Sequence, residues 1–559
     1  MSGGPDSPSE SGRRAPATLL LAVAAISLVP RLWLAAHRPL SHNGAWHLFA
    51  ARFFRQELGT IAHPPLFLLL LKACDRVSRS LLSYRLVPLA AGVGSVILVG
   101  LILDRLGCVP AASALGALAI ALSTTAIALS VQVEGFTLAV AFVLAAFLFA
   151  LDLFRMDAPP PFGRRAGFAI CASLALLTEY LSGLFLIAVV LAPLLAAILR
   201  PDYRRRLLGA LPRRIAADAL TLLPPALVGA ALYRFLASSW IRMLSGPASG
   251  LPRFYFRPGA ESAGAFLART LAATANLYSP VALAPRAALT VLALFLAVAI
   301  LAPAAERPPA GRGVERLFPA LVLTLLLAIG AALGYLGRYP FGGTHRHQIL
   351  ILYFAVLAGA IAFDRLVRMA PPPGRLALGA LGAAAIGLAA FHNRSAQIFR
   401  DEPMNVRAGI FAKNLGGPGT GVVHFDQLNF IALFMDFYQW DCRSAGRVSE
   451  SPPADRYEFS RGDRHFTAIY HRFLFLMDFR SPALYAELRA TFGAAGPPAC
   501  QTAFSVNRNL FTGPHTLRPE GEREDLQREI PALASEAGLA LRTITIDDDF
   551  VEVELCPRP

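Results

Sequence analysis

Long apolar segments dominate the first 392 residues and predict membrane-spanning helices. A helix needs about 20 apolar residues to cross the ~30 Å hydrocarbon core of a bilayer. Eleven segments approach this length: 17–36, 84–104, 109–130, 135–154, 166–180, 181–199, 216–236, 286–303, 316–336, 347–369 and 375–392. The pattern therefore predicts a polytopic α-helical membrane protein with about eleven transmembrane helices.

The second apolar stretch is too short to be a span. Residues 61–71 are followed by Lys72, Asp75, Arg76 and Arg79, so the uncharged run is only 11 residues long. We predict two interfacial helices here, at 41–56 and 63–79, lying on the membrane within the first outer loop.

Charge sets the predicted orientation. Charged residues make up 16% of the chain, and its net charge is +15. The arginines are gathered between apolar runs, as in Arg204-Arg205-Arg206, and they follow the positive-inside pattern with a cytoplasmic N-terminus. The basic charge thus indicates a membrane protein and not a protein that binds nucleic acid. A span at 63–79 would place the arginine triplet outside.

Three domains are predicted. Residues 1–16 form a disordered cytoplasmic N-terminus, residues 17–392 the transmembrane domain, and residues 393–559 a soluble α/β domain on the outer (periplasmic) side. Short β-like runs at 421–425 and 541–546 alternate with helix-like stretches at 482–492 and 523–537. Three cysteines lie in this tail, which allows one disulfide in an oxidising compartment: Cys442, Cys500 and Cys556.

Polar residues collect at the predicted outer ends of the spans. Such residues are costly in a membrane unless they face a cavity, so they are candidates for a functional site. The segments concerned are 41–47, 63–67, 130–136, 178–180 and 337–347.

The order of these motifs resembles GT-C superfamily glycosyltransferases, and within them the family 39 group of protein O-mannosyltransferases and lipid A aminoarabinose transferases. The resemblance rests on the first-loop motif around Asn43, His63-Pro64-Pro65-Leu66, the polar turn before the fourth span, and the turn 338–344. It implies an enzyme of the bacterial inner membrane. Such an enzyme moves a sugar from a polyprenyl-phosphate donor to an extracytoplasmic lipid, glycan or protein acceptor.

The expected acid of the first loop is missing. Relatives carry a carboxylate where this chain has Asn43, and an amide cannot take a proton at neutral pH. We expect that Glu134 or Glu179, at neighbouring outer ends, replaces it as the base. The first-loop histidines are the alternative: His42, His47 and His63. A simpler interpretation is that both glutamates cap helix ends at the water interface.

The donor phosphate requires a cation, which Arg338 or Arg346 would supply as a bidentate fork. Tyr339, His63 and His345 are the further donor-binding candidates, and the Gly342-Gly343 amides could meet phosphate oxygens. No cofactor is required. A divalent metal bound by the histidines is possible in principle, although interfacial histidines are the more common case.

Two other functions remain open from the sequence. Without the first-loop acid, the chain could be a catalytically degenerate relative that binds a lipid-linked sugar or a partner. It could also be a lipid or sugar transporter, which usually has paired repeats and broken helices at mid-membrane.

Overall fold

A computed structural model describes most of the helical region and parts of the tail. The described residues are 17–37, 42–52, 64–155, 160–234, 254–278, 283–304, 314–343, 345–393, 422–425, 441–450, 453–462, 464–471, 482, 485–486, 488–489, 500–506, 520–546 and 550–558.

The chain divides into two compact units. The helical unit comprises residues 1–37, 56–70 and 85–400, and the sheet unit comprises residues 38–55, 71–84 and 401–559. We describe each by itself.

The helices follow the apolar segments closely. They are α1 (Ala17–His37), α2 (His42–Arg52), α3 (Pro65–Val77), α4 (Leu81–Arg105), α5 (Pro110–Leu122), α6 (Thr124–Val131), α7 (Phe136–Leu153), α8 (Phe162–Thr178), α9 (Ser182–Leu199), α10 (Pro201–Leu232), α11 (Ala263–Tyr278), α12 (Pro285–Ala304), α13 (Phe318–Tyr335), α14 (Ile349–Met369) and α15 (Pro372–Asn393).

All eleven predicted spans are helical, with two differences. The segment 109–130 is broken at Ser123 into α5 and α6, which are bent by 55°. Helix α10 begins 15 residues earlier than predicted, at Pro201, and includes the arginine triplet. Among the described residues, seven helices are long and apolar enough to cross a membrane, or eight if the bent pair is one span. The protein is a polytopic membrane protein.

The short first-loop helices are also present. Helix α2 has 11 residues and helix α3 has 13. At a rise of 1.5 Å per residue, neither can cross a ~30 Å core. The exclusion of 63–79 as a span therefore agrees with the helix length.

Aromatic side chains fill the core of the helical unit. The Phe147 ring packs edge-on against Phe354 at 5.0 Å, and Phe185 stacks on Phe354 at 5.9 Å. Helix α9 packs on α13, α7 on α8, and α14 on α5. This core fixes the helix ends from which the candidate site is built.

Buried carboxylates at the other ends of these helices pair with arginines. Asp364 is fully buried and accepts from the Val109 amide at 2.6 Å and from Arg368 Nε at 2.7 Å, and it also pairs with Arg316. Arg316 and Arg368 thus hold α14 to the neighbouring helices through Asp364.

The sheet unit contains a seven-stranded sheet. Its strands are β1 (Val422–Phe425), β2 (Asp441–Glu450), β3 (Pro453–Arg461), β4 (Arg464–His471), β5 (Gln501–Val506), β6 (Leu539–Ile546) and β7 (Phe550–Pro557), in the order β2-β3-β4-β1-β5-β7-β6. Strand β1 runs parallel to both β4 and β5, and the other pairs are antiparallel.

A helix and a disulfide accompany the sheet in the described part of the tail. Helix α16 (Glu520–Glu536) packs on β6 through an apolar cluster that includes Ile530 and Leu539. A disulfide joins Cys500 to Cys556, and Cys442 is a free thiol. The soluble α/β region expected after the last span is confirmed, and strands outnumber helices in its described part.

Candidate active site

Glu134 lies in the turn that follows the broken span. Helix α6 ends at Val131, and the chain passes through Gln132 and Val133 before α7 begins. Only 2% of Glu134 is exposed. A charged carboxylate is rarely buried to this degree unless it is paired.

Glu179 lies beside this turn, at the junction of α8 and α9. It is 4% exposed. Gly135 brings the two glutamate segments together, because a Cβ atom at this position would lie 3.0 Å from the Thr178 carbonyl oxygen and 3.4 Å from Glu179 Oε1. A side chain at 135 would therefore push the Glu179 segment away.

The glutamates do not match the helix-cap interpretation. The N-cap residues of α7 and α9 are Gly135 and Leu181, and Glu179 is instead the C-cap of α8. A negative charge is disfavoured at a helix C-terminus. Both carboxylates are also buried and not at a water interface, so helix capping does not explain them.

Arg346 provides the cation. It lies in the 3₁₀ turn His345–Gln348 that leads into α14, and its Nη1 is 3.9 Å from Glu134 Oε2. About 31% of the arginine side chain is exposed, against 3% of the Glu134 side chain. The structure thus joins a buried carboxylate to a cation that is still accessible.

The turn between α13 and α14 is held by its own side chains. The Tyr339 hydroxyl donates to the His347 carbonyl, and the Tyr339 ring lies edge-on to the His347 ring. The His347 ring also lies edge-on to the Phe136 ring, and the two ring centroids are 6.1 Å apart. Tyr339 therefore fixes the turn that carries Arg346.

The glycines of this turn are required by packing. Gly342 has φ +74°, and a Cβ there would lie 2.9 Å from both Cα and the carbonyl oxygen of Thr270. At Gly343, a Cβ would lie 3.2 Å from the Phe254 ring. The phosphate-binding role of these amides stays a prediction, whereas the close approach of α11 to Gly342 and of Phe254 to Gly343 already explains the glycines.

The polar residues before α14 are tied to neighbouring helices. His345 Nδ1 lies 3.2 Å from Thr125 Oγ1 in α6, and Gln348 Oε1 accepts from Thr274 Oγ1 at 2.6 Å. The Tyr278 hydroxyl donates to the Gln348 carbonyl at 2.6 Å. Thr125 was not among the sequence candidates, although Ser123-Thr124-Thr125 is a polar triplet inside an apolar run.

Burial raises the pKa of two tyrosines, Tyr180 and Tyr339. Burial, followed by the charge of Glu179, raises the pKa of Tyr180. Burial also raises the pKa of Tyr339 well above its ordinary value, with smaller contributions from Tyr278, Glu179 and Tyr255. Both phenols therefore remain hydrogen-bond donors at neutral pH.

The described end of the large outer loop packs beside the turn. Phe256 stacks on Tyr335 at 4.5 Å, and its amide donates to the Gly334 carbonyl at 3.2 Å. Glu261 pairs with Arg269 at 2.8 Å, and this hydrogen bond is the main reason that the pKa of Glu261 is lowered. Residues 235–253, which precede this segment, lie outside the described residues.

The remaining predicted site residues are His42, Asn43, His63 and Arg338. His63 lies outside the described residues, as do the side chains of His42 and Asn43, whose backbone belongs to α2. Arg338 is exposed at the end of α13. Within the described part of the chain, no group of three or more His, Cys, Asp or Glu side chains is arranged to hold a metal ion.

Comparison with known proteins identifies the fold. No protein-family model and no curated protein matches the sequence. Among solved structures, that of ArnT from Cupriavidus metallidurans bound to undecaprenyl phosphate matches with a TM-score of 0.50 and 12% identity, over 96% of this chain and 97% of that chain. The chain has the GT-C fold.

This likeness spans nearly the whole length of both chains. A second structure, of the same ArnT in the apo state, matches with a TM-score of 0.42 and 14% identity over 96% of this chain and 98% of that chain. ArnT is a lipid A aminoarabinose transferase, so the expected GT-C resemblance is confirmed in the fold. At this identity the comparison establishes the fold and not the reaction.

Proposed function

We propose that the protein is a membrane glycosyltransferase that uses a polyprenyl-phosphate sugar and an acceptor outside the cytoplasm. The observation that carries the proposal is the contact between Arg346 and the buried Glu134, with Glu179 beside it. The ArnT-like fold supports it, because the ArnT structure is described as bound to undecaprenyl phosphate.

The proposed reaction is a displacement at the anomeric carbon. An acceptor hydroxyl forms the new C–O bond as the bond from the anomeric carbon to the phosphate oxygen breaks. Polyprenyl phosphate leaves with the electron pair, and the acceptor proton passes to a carboxylate of the protein. Proton transfer to a positioned carboxylate contributes about 10²–10⁴-fold in rate.

Arg346 suits the leaving phosphate. Its guanidinium offers paired donors to phosphate oxygens. In the free protein Glu134 lies 3.9 Å from this cation. A donor phosphate that binds this guanidinium competes with Glu134 for the same cation.

The test is transfer of labelled sugar from polyprenyl-phosphate donors by the purified full-length protein. We expect Arg346→Ala to lose most activity, mainly through a higher KM for the donor. Glu134→Gln and Glu179→Gln separate the two carboxylates, because the one that takes the proton loses kcat. Arg205→Ala removes an exposed arginine on α10 and is the control.

Two results would contradict the proposal. One is the absence of transfer with every polyprenyl-phosphate sugar tested. The other is full activity in Arg346→Ala. The variant Asn43→Asp addresses the degenerate alternative, because a large gain of activity would mean that the first-loop acid is needed and has been lost.

One observation favours a transport function as second candidate. The 55° break between α5 and α6 is a feature that transporters use at their binding sites. Movement of a fluorescent polyprenyl phosphate across proteoliposome membranes, without any sugar transfer, would support this alternative.

A further inference from the structure

A fully buried arginine lies in the first membrane helix. Arg31 has no exposed surface, and it follows Pro30 about 9 Å from the outer end of α1. A charged side chain at this depth costs several kcal/mol unless it has partners. The stability of Arg31 at this depth therefore depends on the groups that accept its hydrogen bonds.

Arg31 binds the neighbouring span formed by α5 and α6, at the point where that span is broken. Its Nη1 lies 3.0 Å from the Ala121 carbonyl oxygen, and its Nη2 lies 3.4 Å from that of Ile120. Both carbonyls belong to the last turn of α5. Nη1 is also 2.9 Å from both the carbonyl oxygen and the hydroxyl of Ser27, one turn earlier in α1.

The break frees a backbone carbonyl group to accept a hydrogen bond from Arg31. In a straight helix the Ala121 carbonyl would accept from the amide four residues later. Here Ser123 is extended, and its hydroxyl accepts from the Ala126 amide at 3.4 Å. Ser123 thus caps the N-terminus of α6, and Arg31 caps the C-terminus of α5.

The charge of Arg31 matches the end of a helix. The C-terminus of a helix carries a partial negative charge of about half an electron, and the guanidinium lies against that end of α5. Within the described residues, no carboxylate lies within 4.0 Å of Arg31. Its contacts therefore depend on the bend, since a continuous helix would present neither the free carbonyl nor the helix end.

Helix α4 closes over the same place. At Gly92, a Cβ would lie 2.5 Å from Ser130 Cβ in α6 and 3.3 Å from Arg31 Nε. The glycine thus lets α4 approach both α6 and the arginine. Helix α1 thus contacts the span at its break, and α4 contacts it near the far end of α6.

We infer that Arg31 is a positioning residue that keeps the span bent so that the turn after α6 holds Glu134 beside Arg346. Helix α6 is about 12 Å long. Straightening a 55° bend would displace its far end by about 11 Å. That is nearly three times the 3.9 Å that separates Glu134 from Arg346.

The first test does not depend on activity, although the catalytic consequence rests on the proposed function. Gln132→Cys places a thiol at the end of α6, and its rate of reaction with a polar maleimide is followed on the detergent-purified full-length protein. Peptide mass spectrometry separates this thiol from the native ones. When Arg31→Met is added to the Gln132→Cys variant, the rate of the maleimide reaction at position 132 should change at least fivefold.

Arg85→Met is the matched control. Arg85 is another buried arginine, and it donates to the Ala35 carbonyl in α1. The labelling rate should stay within twofold of the parent. If Arg31→Met does not purify as a monodisperse protein, Arg31→Lys serves instead, because it keeps the charge but cannot span two carbonyls; we expect at least a threefold change.

Kinetics give the second test. If the protein transfers sugar, Arg31→Met should lower kcat at least tenfold with little change in the KM for the donor, since Arg346 is untouched, and Arg31→Lys should recover part of kcat. An unchanged labelling rate in a well-folded Arg31 variant would overturn the inference. A changed labelling rate, together with an absence of sugar transfer by the wild type, would support the role of Arg31 in the bend and would refute only the proposed function.

Discussion

Neutralising Asp364 should strongly destabilise the helical unit. This carboxylate accepts from the Val109 amide at the start of α5, from Arg316 before α13 and from Arg368 in its own helix. It has no exposed surface, and the Arg316 side chain is only 8% exposed. Asp364→Asn keeps the size of the side chain and removes the charge that both arginines face.

The expected cost follows from this burial. Removing one partner of a buried ion pair costs about 3–5 kcal/mol, because a charge is left in a medium of low polarity. Arg368 is 44% exposed and can turn toward water, so most of the loss comes from Arg316. An exposed pair contributes only about 0–1 kcal/mol.

Asp202→Asn is the control for the same chemical change. Asp202 pairs with Arg205 at 2.9 Å, and the two side chains are 77% and 79% exposed. Thermal unfolding of the two purified variants in one detergent should show a drop on the order of 5 °C or more for Asp364→Asn. Asp202→Asn should melt with the wild type. Equal melting of the two variants would refute the reasoning from burial.

Three further predictions concern single positions. Gly342→Ala should lower stability and activity together, because φ is +74° and the new Cβ would lie 2.9 Å from the Thr270 backbone. Cys442 should resist alkylation at pH 8 until the protein unfolds, because burial raises the pKa of its thiol to about 12 and the thiolate is the reactive form. Replacing both Cys500 and Cys556 with serine should destabilise the sheet unit by about 4 kcal/mol, the loop entropy for their separation of 56 residues.

Each of these has a contrasting measurement. Gly337→Ala meets the same left-handed backbone, φ +68°, with nothing within 4 Å of the new Cβ, so it should be milder than Gly342→Ala. Rapid labelling of folded Cys442 would contradict the raised pKa of its thiol. The raised pKa of this thiol also means that stability should fall as pH rises above the unfolded value of about 8.5 toward 12. Limited proteolysis compares the serine variant with the parent protein, and equal digestion would contradict the disulfide estimate.

Hydropathy located the helices because each span must be apolar over nearly its whole length. It missed the break at Ser123, since the run from 110 to 131 contains no internal proline and remains apolar on both sides. The available signals were indirect: the polar triplet that begins at Ser123 and an arginine inside α1. The early start of α10 was missed because the charged residues 201–214 were interpreted as a loop.

The candidate site was predicted in part. Glu134, Glu179 and Arg346 could be grouped because all three fall at predicted outer ends of spans, and the structure places Glu134 beside Arg346 and the Glu179 segment against Gly135. Their burial could not be foreseen, because it depends on how helices pack. The sheet order was equally out of reach, since β1 and β5 pair with strands that are far away in sequence.

The order of strands in the sheet constrains when the tail can fold. Strand β1 ends at Phe425, yet its two neighbours begin at Arg464 and Gln501, and β5 in turn pairs with β7 near the end of the chain. Pairings with such long sequence separation form slowly. About 130 residues must therefore be synthesised after β1 before the sheet can close. Until then the backbone of a central strand is open to pairing with other chains, so a chain truncated before β7 would expose an edge on β5 and should aggregate.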